Sequence, residues 1–371
     1  MQPLNDGREN HYGADTPYGL MDGASGEFQE VARLVDEQRK IAANKNLAME
    51  ERLEAYEDII DSEVGDTSLI RARNIERAMG FRQLYLKFEG GNPTGTQKDR
   101  IAFAQAADAL RRGFDTVTMA TCGNYGVAVA MAASLAGLRC LVVIPEAYHT
   151  RRIAEINELG AEILRVPGDY EAAVKISTQE AVDREYYDAN PGGDNTILQL
   201  SAYGQVAYEI YDELRDAPAV VAVPVSNGTT LAGIYKGFLS LYRRGKTSRM
   251  PRIVAGSSFR KNPIVHAFLN HIPSCEDLNP RQIRETQINE PLINWHSIDG
   301  DYALDAIRET GGWAANASDK AMLALSRTIR DKEGLQVLPA STAGLVALAD
   351  RQRKEPLSND RYVVVLTGRK A

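Results

Sequence analysis

From about Leu69 onward, two hydrophobic patterns alternate along the chain. Short apolar runs recur at Leu84–Phe88, Thr116–Ala120, Cys140–Ile144, Ile163–Val166, Val220–Val225, Ile253–Gly256, Leu335–Leu338 and Tyr362–Leu366. Several are rich in Val and Ile with no polar residue interleaved, which predicts strands buried on both faces of a parallel sheet. Between them, apolar residues recur every third or fourth position, at Val127, Met131 and Leu135; at Ile153, Ile156 and Leu159; at Leu231, Tyr235, Phe238 and Leu241; and at Met322, Leu325 and Ile329. These are helical faces, and each gives way to a glycine (Gly137, Gly160, Gly245, Gly334) placed to close the helix in the left-handed conformation. Alternating strands and helices predict an α/β fold with parallel sheets.

Two regions depart from this rhythm. Residues 1–60 are polar and charged with no strand signal, and they read as an N-terminal helical extension. Its clearest element is an amphipathic helix at Met49–Glu63, with Leu53, Tyr56, Ile59 and Ile60 on one side. Pro273–Gly312 is polar and rich in Pro, Asn and Gly, so it reads as loops over the surface or around a site entrance. At 371 residues the chain is too long for one ordinary core, which predicts two domains.

Composition narrows the function classes. The hydrophobic share of 44%, the charged share of 25% and the net charge of −7 are those of a soluble globular protein and carry no basic footprint for nucleic acid. Cys122, Cys140 and Cys275 are odd in number and widely spaced, which argues against a disulfide framework or a zinc motif. The five histidines are dispersed, so no metal site is expected. The N-terminal residues show no secretory or transit pattern and the apolar runs are only strand-length, so the expected location is the cytoplasm, away from membranes.

Four segments carry candidate chemistry, each where a strand ends. Asn92-Pro93-Thr94-Gly95-Thr96-Gln97-Lys98-Asp99-Arg100 places a lysine at the start of a helix, after a turn at the carboxyl end of a strand, the edge where ligands bind in open α/β sheets. A lysine in a partly dry pocket loses proton affinity and becomes a nucleophile. The phosphate-binding pattern GxxxxGK[ST] fails, because Gln97 and Asp99 flank the lysine. Thr121-Cys122-Gly123-Asn124-Tyr125-Gly126 joins the next strand to a helix and offers free helix-start amides and an amide side chain. Ser226-Asn227-Gly228-Thr229-Thr230 places hydroxyls and a glycine at a helix N-terminus, the makings of a phosphate cup. Finally, Thr367 ends the last apolar strand, where it is expected to face the same crevice.

In this order, the four segments resemble those of the fold-type II pyridoxal-phosphate (PLP) enzymes, the tryptophan-synthase-β-like family. The resemblance spans roughly Asp66 to Gly368, and the NPTG…KDR lysine segment carries most of it. It implies two open parallel-sheet α/β domains with PLP in the cleft between them: a large domain from 61–99 and 187–371 and a smaller, mobile one from 100–186. It further implies that Lys98 binds the cofactor as a Schiff base and moves protons at the substrate Cα. Asn124 would bond the cofactor's 3′ oxygen, Ser226, Asn227, Gly228, Thr229 and Thr230 would hold its phosphate, and Thr367 would face the pyridine nitrogen. Thr121, Cys122, Gly123 and Tyr125 would bind the substrate carboxylate. A neutral hydroxyl at the ring nitrogen weakens the electron sink and accompanies elimination or replacement rather than transamination.

Within the family, the ending Val365-Leu366-Thr367-Gly368 and the loop Ser226-Asn227-Gly228 are most similar to threonine synthases. Ser68, Gln97 and Tyr125 depart from that pattern close to the substrate. The implied activity is therefore a threonine-synthase-like lyase or synthase working at Cβ or Cγ of a small amino acid, with O-phosphohomoserine as the first candidate substrate. β-Replacement of the cysteine or cysteate synthase type and a catalytically silent PLP-binding protein are the alternatives. A homodimer is expected from the general frequency of twofold assemblies.

Overall fold

The computed structural model describes residues 26–121, 123–148 and 152–370. Its strands are β1 (Leu69–Arg71), β2 (Gln83–Phe88), β3 (Thr116–Ala120), β4 (Arg139–Pro145), β5 (Glu162–Val166), β6 (Tyr187–Asp188), β7 (Val220–Pro224), β8 (Arg252–Ser258), β9 (Trp313–Ala317) and β10 (Arg361–Leu366). Its helices are α1 (Gly26–Ala43), α2 (Met49–Glu63), α3 (Arg73–Met79), α4 (Lys98–Arg111), α5 (Asn124–Leu135), α6 (Ile153–Glu158), α7 (Tyr170–Asp183), α8 (Thr196–Leu214), α9 (Thr229–Arg243), α10 (Pro263–Leu269), α11 (Gly300–Glu309), α12 (Asp319–Glu333) and α13 (Ala343–Lys354).

The strands form two sheets. One has six strands in the order β1-β2-β10-β7-β8-β9, the other four in the order β5-β4-β3-β6. Every pairing is parallel except that of β1 with β2, an antiparallel strand closing one edge of the larger sheet. Apolar runs without alternation mean burial on both faces, as β7 and β10 illustrate. Val221, Val223, Val363 and Val365 pack with Leu231, Ile234 and Phe238 of α9 on one face, while Ala222, Tyr362, Val364 and Leu366 pack with Leu345 and Leu348 of α13 on the other. The four-stranded sheet has its main core against α2, α4 and α5.

Seven of the expected strands are present, and the four cap glycines all take positive φ. Leu335–Leu338 is a correction: it contributes one bridge, Val337 to Arg369, and then enters the 3-10 turn Pro339–Thr342. Pro339 has no N–H to continue a ladder, and the Val337 carbonyl is taken by the Ser326 hydroxyl at 2.9 Å. Pro273–Gly312 is a second correction, because it ends in α11, with Ala303, Leu304, Ala306 and Ile307 buried. The Met49–Glu63 helix forms as expected and is firmly docked. Tyr56 and Ile59 are fully buried, and Arg52 donates to the Ala42 and Ala136 carbonyls at 2.9 and 3.2 Å.

Candidate active site

The lysine segment is built by its own polar residues. Asp99 accepts from the Thr94 amide at 2.9 Å and the Thr94 hydroxyl at 2.7 Å, closing the turn that precedes Lys98. Burial drives the Asp99 carboxyl up to about 7 against these bonds. Arg100 grips Glu89 at 2.6 and 2.9 Å and Glu209 at 2.6 and 2.8 Å. Lys87 completes this buried cluster by bonding Glu209. Burial opposes the Arg100 charge, but the two carboxylates outweigh it and hold the guanidinium ionised. The turn is also stitched to the end of β10: Thr96 bridges Gly368, and the Gln97 amide donates to the Thr367 carbonyl at 3.0 Å. That bridge brings Lys98 and Thr367 together.

Lys98 is the first residue of α4. Burial lowers its amine to about 8, against the pull of the Asp299 carboxylate. Roughly a tenth is therefore the free, nucleophilic amine at pH 7, far more than for an exposed lysine. Its Nζ lies 5.7 Å from the centre of the Tyr125 ring.

Lys98, Asn124, Ser226, Asn227, Gly228, Thr229, Thr230 and Thr367 line one cavity of about 110 Å³. These are all the residues the sequence nominated for the cofactor. A larger cleft of about 470 Å³ shares Lys98, Asn124, Ser226 and Asn227 with it and adds Thr121, Gly123 and Tyr125. Cys122, nominated with them, lies outside the described residues.

Within that frame the structure gives several side chains definite partners. The Thr121 hydroxyl accepts from the Gly123 and Gly126 amides at 3.2 and 3.1 Å, so it caps α5. The Tyr125 hydroxyl donates to the Ala189 carbonyl and accepts from Gln105, each at 2.5 Å. That phenol is thus engaged in the core of the smaller sheet. The Asn124 side-chain oxygen accepts from Arg152 at 2.8 Å. Thr229 donates to the Asp299 carboxylate, whose own carboxyl is raised by burial against that bond and the nearby Lys98.

Other residues that sequence reasoning missed support the site. Ser341 sits 3.1 Å from the Thr367 hydroxyl and accepts from the Gly368 amide at 3.1 Å. Its only sequence signal is the small-residue run Pro339-Ala340-Ser341-Thr342-Ala343-Gly344. Asn294 donates to Asn227 at 2.9 Å, and Asn262 donates to the Ser226 carbonyl at 2.9 Å. Both buttress the cup from a distant stretch of chain, where no local pattern points to them.

Comparison with known proteins decides which family uses this arrangement. Residues 60–368 match the family model described as pyridoxal-phosphate dependent enzyme. This chain belongs to the pyridoxal-phosphate dependent enzyme family. Threonine synthase from Methanocaldococcus jannaschii is 29% identical over 305 residues, covering 82% of this chain and 74% of that protein. Threonine synthase from Halalkalibacterium halodurans is 31% identical over 310 residues, covering 82% of each. Among solved structures, maize serine racemase superposes with a TM-score of 0.70 at 18% identity, covering 86% of this chain and 94% of that one. O-ureido-L-serine synthase gives a TM-score of 0.67 at 21% identity, covering 84% and 91%. These two likenesses are of fold.

The residues present fit PLP, the cofactor of this enzyme. The N-cap of α9 is Gly228, which supplies no side-chain bond and leaves the first-turn amides of the helix for an anion. Gly228 has φ 98°, and a Cβ there would lie 2.6 Å from the Asp299 carbonyl, so the cup needs glycine. The lysine amine and the Thr367–Ser341 hydroxyl pair line or flank the same cavity. Bound there, PLP supplies an electron sink for negative charge at the substrate Cα.

Proposed function

We propose that this enzyme is a threonine-synthase-like lyase or synthase, catalysing elimination or replacement at Cβ or Cγ of a small amino acid. The observation that carries the reading is the convergence of Lys98, the Ser226–Thr230 cup and the neutral Thr367 on one cavity, with a roomier cleft opening from Lys98. In this reading Lys98 holds the cofactor and moves the proton at the substrate Cα. Asn124 orients the cofactor ring, and Ser226, Asn227, Gly228, Thr229 and Thr230 hold its phosphate. Thr367, a hydroxyl rather than a carboxylate, leaves the ring nitrogen unprotonated, which favours elimination and replacement. Thr121, Gly123 and the α5 amides face the substrate carboxylate, with Cys122 assigned beside them from sequence and Tyr125 forming the floor under Lys98.

The part around the four-stranded sheet, residues 100–186, closes over the substrate against 61–99 and 187–371 and excludes water. A homodimer in the cytoplasm completes the proposal. The test is incubation of the PLP-loaded enzyme with β- and γ-activated amino acids, reading leaving-group release and product by mass spectrometry. Turnover of at least one such compound that vanishes in Lys98→Ala supports the reading. Transamination with a keto-acid acceptor contradicts it.

A further inference from the structure

The outer cleft carries a feature that cofactor binding does not use. Glu290 lines it, and the adjacent Pro291 lines both it and the cofactor cavity. Its carboxyl is placed from both sides. The Glu290 amide donates to the Thr286 carbonyl at 3.0 Å, neighbouring Asn289 is fixed by Thr286 and Asp319, and Leu292 is buried against Met322 and Val346. From the opposite wall, the hydroxyl of Tyr148, three residues beyond β4, donates to Glu290 Oε1 at 3.0 Å. The carboxylate is thus held from across the cleft by Tyr148, on a backbone anchored at Thr286, Asn289 and Leu292.

Beside it the cleft carries the further carboxylates Asp169, Glu171 and Glu285 and the cations Lys98 and Arg152. Glu285 lies on the same loop, and Asp169 and Glu171 lie on the facing wall. Arg152, a cation of the same cleft, bonds Asn124 at 2.8 Å and Glu155 at 2.9 Å. Burial first, and then the Glu285 charge, push the Glu290 carboxyl up to about 7. An entering phosphate dianion would meet carboxylates on both walls. An ammonium group would relieve their repulsion and draw Glu290 back to its ionised form.

We propose that the cleft takes an amino acid whose side chain ends in an ammonium group, and that Glu290, held by Tyr148, is the residue that selects it. The proposal rests on the reading of Lys98 and PLP above and replaces O-phosphohomoserine as the substrate class.

The test titrates the visible band of the PLP-loaded enzyme with three compounds: L-2,4-diaminobutyrate, its uncharged counterpart L-2-aminobutyrate, and O-phospho-L-homoserine. Diaminobutyrate is expected to bind about tenfold more tightly than aminobutyrate, the scale of one partly screened charge pair, and phosphohomoserine more weakly than either. In Glu290→Gln the advantage of diaminobutyrate should fall to within about twofold, with aminobutyrate binding unchanged. Tyr148→Phe should narrow the same gap and serves as the second variant if the first folds poorly. Tightest binding of phosphohomoserine by wild type, or a gap untouched in both variants, overturns the proposal. A band that none of the three compounds perturbs also overturns it while leaving the cofactor assignment standing, whereas a wild-type protein with no band overturns both.

Discussion

Lys98 shows how much chemistry follows from where one residue sits. On the surface its amine would be a solvated cation; at the head of α4 burial brings it to about 8, and the Asp299 carboxylate keeps it from falling further. Only the neutral amine attacks a carbonyl. The rate at which cofactor-free protein captures added PLP should therefore rise with pH through a midpoint near 8 and level off once the amine is fully deprotonated. Replacing Asp299 with Asn removes a charge that stabilises the ammonium, so the midpoint should move to lower pH, as stopped-flow absorbance at each pH would record. A midpoint unmoved or raised in the variant would show that Asp299 does not act on Lys98. At this scale the lysine, the cup and the terminal threonine were legible because each sits where an apolar strand ends. Asp299, Ser341, Asn262 and Asn294 were not, since each meets its partner across a long stretch of chain.

The elements are connected to the chemistry by their ends. Helix α9 packs on α8 so closely that a Cβ at Gly237 would lie 2.4 Å from the Gly204 carbonyl, which fixes where the N-terminus of α9, the proposed phosphate cup, points. Gly228 heads that helix with φ 98°, and the Asp299 carbonyl lies against it. In Gly228→Ala the side chain cannot fit without moving that loop, at a cost of about 1–3 kcal/mol for the strained backbone. Cofactor affinity, measured by titrating the visible band, should fall by at least about tenfold; unchanged affinity would show that the cup is formed elsewhere. The elements that sequence patterning got wrong each have a local cause. β9 reads Trp-Ala-Ala-Asn-Ala and lacks the β-branched residues that mark the other strands. α11 follows a polar stretch that hides its start, yet that start supplies Asp299. Leu335–Leu338 has strand composition, but the following proline and the hydroxyl of Ser326 divert it.

At the scale of the molecule, two largely parallel sheets bring together segments that lie far apart in the chain. The antiparallel bridge from Thr96 to Gly368 joins the lysine turn to the final strand, while the Arg100–Glu89–Glu209–Lys87 cluster anchors that turn beneath. Among the described residues, no helix is long and apolar enough to cross a membrane. The α/β class and the convergence of the segments were legible from alternating buried strands and from strand ends sharing one edge. The electrostatics of the outer cleft were not, because Tyr148, the start of α7 with Asp169 and Glu171, and the Glu290 loop meet there from separate parts of the chain. The central claim is that Lys98 is where PLP is bound, and it is tested most directly by the visible absorption spectrum of purified protein supplied with PLP. Wild type should show a band that borohydride bleaches, leaving the cofactor's mass on the peptide containing Lys98, and Lys98→Ala should show neither the band nor the labelled peptide. A labelled peptide elsewhere in the chain, or no band in wild type, would contradict the account.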